Sequence, residues 1–174
     1  MNQKEILQRL IDGNRRFVND QLKAELQDTS RRMDITGSQD PFAVVLSCAD
    51  SRVVPESIFD TGLGELFVVR VAGNIANTSS IASIEYAVAH LKTKVIVVLG
   101  HQSCGAVTAA LKGGNNGPNL NHLLGHIAPA IKACGSEASL DEVIKKNILL
   151  TKEKLADSSQ IIKDFQFLGQ LHTQ

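Results

Sequence analysis

The sequence predicts an α/β domain built on a central, mainly parallel β-sheet flanked by helices, and three observations carry that prediction. Three segments, FAVVLSC (42–48), ELFVVRVAG (65–73) and KVIVVLG (94–100), are rich in valine and leucine with little polar alternation, the pattern of strands covered on both faces. Helical patterns lie between them, which is the βαβ alternation of a parallel sheet. An amphipathic segment precedes the first strand and further helical segments follow the last.

The N-terminal stretch MNQKEILQRLIDGNRRFVND carries charges throughout, so it reads as an amphipathic helix rather than a signal peptide. Residues 1–35 form an expected N-terminal helical arm and residues 36–174 the α/β core of a single domain. After the first strand, Pro55 suits the first turn of a short helix. After the second, SSIASIEYAVAHL predicts a longer helix, with Thr78, Ser79 and Ser80 as candidate caps. After the third, CGAVTAALKG predicts a short helix closed by Gly113 and Gly114, GGNNGPN a loop, and residues 119–133 and 139–157 two further helices.

Composition narrows the partners. A chain of 174 residues can close one hydrophobic core without disulfides. Lys plus Arg and Asp plus Glu both total 18, which favours a small, weakly charged or neutral ligand over nucleic acid or an anionic membrane. No apolar run reaches membrane-spanning length, so the expected location is cytoplasmic. Cys48, Cys104 and Cys134 are too few and too scattered for a disulfide framework; in a reducing compartment, metal binding or catalysis is the better reading.

Ligands of open parallel sheets gather at the carboxyl ends of strands, and two of the three ends here carry a cysteine or a histidine. Cys48 closes the first strand, and GHQSCG after the third sets His101 and Cys104 three residues apart. Two thiolates and an imidazole suit zinc better than the oxygen-seeking magnesium or calcium, and three protein ligands leave one tetrahedral position for catalysis. Alone, H-x-x-C is a weak signal that more often marks a polar loop after a strand. The cysteine at a second strand end, with Asp50 and Arg52 beside it, is what strengthens the reading. Cys104 also begins a helix, whose dipole favours a thiolate, and Gly100 and Gly105 are expected to permit tight turns around it.

The segments CADSRV (48–53), VRVAGN (69–74), SIEYAV (83–88) and GHQSCGA (100–106) together resemble the β-class carbonic anhydrases, and the likeness extends to GNRRFV and HIAPAIKA. The resemblance implies the β-carbonic-anhydrase fold and one Zn2+ per chain on Cys48, His101 and Cys104. It implies reversible hydration of carbon dioxide to bicarbonate by a zinc hydroxide, aimed by an Asp50–Arg52 dyad. It also implies a narrow apolar pocket, with Ala49, Val71, Gly73 and Gly105 as candidate walls, completed by a second subunit of a homodimer or tetramer. In some members of that family the aspartate at the position of Asp50 can instead close the site by binding zinc. The chain stops at FQFLGQLHTQ, where the family continues into another strand, so that strand is expected to be missing or replaced. A zinc-binding but weakly active protein, and a carbonyl sulfide or carbon disulfide hydrolase, are the competing expectations.

Other features are given modest roles. Cys134 reads as a buried free thiol rather than a fourth ligand. His122 and His126 share a helical face without the glutamate of a zinc protease, and read as solvent-facing or, less simply, as proton shuttles. His90 ends a helix, and GGNNGPN lacks the Lys-Ser/Thr of a phosphate loop.

Overall fold

A computed structural model describes residues 1–163. Three strands, β1 (Ala43–Ser47), β2 (Leu66–Arg70) and β3 (Ile96–Leu99), form a parallel sheet in the order β2-β1-β3. Ala43 stands opposite Leu66, and Val44 opposite Ile96. Side chains alternate across a strand, and the two faces separate accordingly. Val44, Leu46, Ile96 and Val98 point into one apolar layer, while Ala43, Val45, Val97 and Leu99 point into the other. β1 and β3 are buried throughout; β2 is only partly buried, so the expectation of cover on both faces holds for two strands of the three.

The second layer is sealed by α1 (Gln3–Val18) and the short α3 (Pro55–Ile58). Asn2 and Glu5 cap α1 reciprocally, each side chain accepting the other's backbone N–H at 3.0 and 2.8 Å. Ile6 and Leu10 lie on the inward face of α1, and each contributes ~2 kcal/mol by burial. Gly13 lets the helix approach Phe59 so closely that a Cβ there would sit 1.9 Å from the Phe59 carbonyl oxygen. Arg16 pairs with Asp60, and Arg9 with Glu65. The small α2 (Thr29–Asp34) buries nothing.

The first layer is covered by α4 (Thr78–His90), α5 (Gly105–Lys112), α6 (Pro118–Gly125), α7 (Ala128–Cys134) and the long α8 (Leu140–Ser158), with α9 (Gln160–Lys163) against α4 and α8. Two expectations are corrected. The cap of α4 is Asn77, not Thr78 or Ser79; its side chain accepts the Ser80 N–H at 2.9 Å while Ser80 Oγ accepts the Asn77 N–H. The helix expected over 119–133 breaks at His126–Ile127, because Pro129 has no N–H to give and opens α7 as a new first turn. The expected loss of a C-terminal strand falls on residues 164–174, outside the described residues. Among the described residues, no helix is long and apolar enough to cross a membrane.

Candidate metal centre

Sheet and turns bring the three distant donors together at the carboxyl ends of β1 and β3. The donor atoms of Cys48, His101 and Cys104 all lie within 4.8 Å of one another, and all three residues are buried. The two sulfurs are 4.0 Å apart, close to the ~3.8 Å that two thiolates 2.3 Å from one tetrahedral zinc would show. His101 Nδ1 lies 2.8 Å from the Gln102 carbonyl, so it carries the proton and donates. That leaves Nε2 with a free lone pair, and this buried nitrogen has no hydrogen-bond partner. A buried polar atom without a partner is costly. Two thiol sulfurs and an orphaned imidazole nitrogen converging on one point suit a thiophilic cation such as zinc.

The two sulfurs lie within hydrogen-bonding reach of each other. The hydrogen bond from Cys104, helped by the backbone N–H groups of Asp50 and Gly73, pulls the Cys48 thiol well below its ordinary value against the cost of burial. The same hydrogen bond, together with burial, pushes Cys104 upward. A cation between them would take both as thiolates, since metal binding expels ligand protons.

Asp50 is held from one side. Arg52 donates from Nε to Oδ1 at 2.9 Å and from Nη2 to Oδ2 at 2.8 Å, and its backbone N–H reaches Oδ1 at 3.0 Å. These bonds hold the Asp50 carboxyl well below the usual carboxylate range. Oδ2 stands 3.9 Å from His101 Nε2, so the carboxylate borders the donor cluster. Arg52 Nη2 also donates to the Ser103 carbonyl at 3.3 Å, tying the Cys48 turn to the His101–Cys104 turn. The expectation that Gly100 and Gly105 make the tight turns is not met. Ser103 takes the left-handed backbone (φ 55), while Gly100 is needed because a Cβ would come within 2.5 Å of Ile148 Cδ1.

Of the four candidate wall residues, Ala49 and Gly105 are exposed, Val71 is partly buried and Gly73 is buried. Gly73 makes two backbone contacts: its N–H donates to Cys48 Sγ at 3.3 Å, and its carbonyl accepts from buried Asn147 Nδ2 of α8 at 2.8 Å. Its backbone is left-handed (φ 71), and a Cβ would sit 2.8 Å from Ile127 Cδ1. Gly73→Ala is therefore expected to cost about 1–3 kcal/mol through strain and overpacking, read as a lowered thermal midpoint.

Sequence reasoning left two contributors without a role. Arg70 reaches the carbonyls of Cys48 and Asp50 from the end of β2, and Asn147 braces Gly73 from 74 residues away. VRVAGN was singled out as a motif, but the targets of its arginine depend on strand register. Cys134 stays outside the donor cluster; it is half-buried, with its thiol 3.7 Å from the Glu142 carbonyl. His122 and His126 pack edge to face, 5.3 Å between centroids, in a separate cleft of about 650 Å³, where Lys154 Nζ lies 3.1 Å from His126 Nδ1. Burial, then Lys154 and His122, push His126 below its ordinary value. His90 ends α4 with its ring 5.1 Å from that of Tyr86.

Comparison with known proteins gives a consistent result. The carbonic anhydrase family model matches residues 43–174. The chain is 46% identical over 138 residues to a carbonic anhydrase of Mycolicibacterium smegmatis, covering 77% of this chain and 66% of that protein. It is 50% identical over 108 residues to carbonic anhydrase 2 of Mycobacterium tuberculosis, covering 62% and 52%. The chain thus spans roughly half to two thirds of the length of these relatives. Among solved structures, a tetrameric β-carbonic anhydrase of Sordaria macrospora superposes with a TM-score of 0.67 at 30% identity, over 76% of this chain and 73% of the other.

Proposed function

The chain belongs to the β-class carbonic anhydrase family, and from that premise we propose that it catalyses the reversible hydration of carbon dioxide to bicarbonate and a proton, with one zinc ion per chain on Cys48, His101 and Cys104. The observation that carries the reading is the buried, unpartnered His101 Nε2 facing two sulfurs, with a restrained carboxylate at its border. Zinc held there supplies Lewis acidity, which makes water a competent nucleophile near neutral pH.

The chain's own residues do the rest. The Gln102 carbonyl fixes the His101 tautomer and ring. Asp50, acceptor-only as a carboxylate, takes a hydrogen bond from the nucleophile and so aims its lone pair at the carbon of carbon dioxide. Arg52 keeps Asp50 in place. Its contribution is geometric more than electrostatic, because an ordinary aspartate of pKa about 3.9 is already ionised at neutral pH. Removing the guanidinium would leave the charge but free the carboxylate to turn, including toward the cluster. Arg52→Ala is accordingly expected to keep one zinc per chain and to lower the hydration rate about 10–100-fold, measured by stopped flow on metal-analysed protein.

Exposure of Ala49, Arg52 and Gly105 beside the cluster supports a pocket completed by a second copy of the chain, in a homodimer or tetramer. The need for two reduced thiols suits a cytoplasmic setting. The test of the assignment is a parallel assay of the zinc-loaded protein on carbon dioxide, carbonyl sulfide and carbon disulfide. Carbon dioxide hydration far above the buffer rate is expected. Turnover of the sulfur compounds alone would reassign the substrate.

A further inference from the structure

We propose that Arg70 is a positioning residue of the metal centre, holding in register the three-residue turn that carries both Cys48 and Asp50; the inference rests on the zinc reading above. β1 ends at Ser47, whose partner across the ladder is Arg70 itself. Val71 N–H still donates to the Ser47 carbonyl at 3.0 Å, and beyond that point the described strands give the turn no ladder partner. The Arg70 side chain takes over where the ladder stops. Nε donates to the Cys48 carbonyl at 3.0 Å and Nη2 to the Asp50 carbonyl at 2.6 Å. The latter carbonyl also closes a turn, accepting Val53 N–H at 3.0 Å.

A planar guanidinium suits this task because its donors are fixed in a fork and can grip two carbonyls of one backbone segment together. The two arginines then divide the work. Arg52 restrains the carboxylate of Asp50 and bridges to Ser103, whereas Arg70 restrains the backbone from which both the thiol and the carboxylate project. A loose turn would misplace a ligand and the group that aims the nucleophile at once, and shifts of about 1 Å at such sites cost about 100-fold in rate. Arg70 touches neither the donor atoms nor the reacting position, so its role is not catalytic.

The test uses the full chain as wild type, Arg70→Ala, Arg70→Gln and Arg70→Lys, stripped of metal and titrated with Co2+. Affinity, the thiolate-to-cobalt absorption band and the spectrum at saturation are recorded beside the thermal midpoint. The expected result is about 10–100-fold weaker binding in Arg70→Ala, with an altered spectrum even at saturation and partial recovery in Arg70→Lys, whose single ammonium keeps the charge but not the fork. A saturated spectrum and affinity unchanged in Arg70→Ala, with or without a lower midpoint, would overturn the inference. So would full recovery in Arg70→Lys, since charge alone would then suffice. Should Arg70→Ala not fold, Arg70→Gln is judged by the same criteria. Absence of the thiolate band in wild type would instead defeat the underlying metal assignment.

Discussion

Cys48→Ser should bind no stoichiometric zinc after gel filtration and should hydrate carbon dioxide no faster than buffer. The substitution changes little but the donor. Cys48 is 3% exposed, serine is slightly smaller, and the Gly73 N–H that now meets sulfur can meet a hydroxyl instead. What disappears is a thiolate. Serine does not ionise in this range and is a poor ligand for a thiophilic cation, and the two remaining donors, His101 and Cys104, come from one turn and cannot enclose an ion. Loss of metal affinity should therefore exceed the 10–100-fold typical of losing an outer partner of a ligand. Elemental analysis of the purified variant checks it, and a folded Cys48→Ser protein retaining one tightly held zinc per chain would contradict the assignment of Cys48.

Asp50→Ala should behave in the opposite way, keeping its zinc and losing its rate. None of the three donors is disturbed by removing the carboxylate, and Arg52, already largely exposed, can be hydrated. The nucleophile, however, loses the acceptor that selects its orientation. Positioning effects of this kind amount to about 100-fold, equivalent to ~2.7 kcal/mol in the barrier. Asp50→Asn is a stricter version, because it preserves size while replacing a pure acceptor by a group that can present a donor. Stopped-flow rates normalised to measured zinc separate the two residues. If Asp50→Ala lost metal as readily as Cys48→Ser, the carboxylate would be a ligand and not an aiming group.

The sheet and the donor set were legible in the sequence for one reason. Buried parallel strands leave a dense aliphatic signature, and residues that follow such strands meet at one edge of the sheet. Cys48, His101 and Cys104 could be named from their places after FAVVLS and VIVVLG, and the structure brings these three together. What remained hidden depends on register and on backbone conformations that no pattern encodes. β2 is shorter than its apolar run because Gly73 and Asn74 both enter the left-handed region (φ 71 and 45), ending the strand at Arg70. Only that early end, with the Ser47–Arg70 pairing, aims the arginine at the Cys48 turn. Asn147 acts on Gly73 from the middle of α8, a contact made by helix packing across 74 positions. The break between α6 and α7 could have been read from Pro129, which the apolar spacing of HLLGHIAPAI obscures.

The decisive measurement is the rate of carbon dioxide hydration as zinc is returned to chelated protein. The account predicts a rate that rises in proportion to added zinc and levels off at one ion per chain. One firmly bound zinc per chain with a rate indistinguishable from buffer would contradict it.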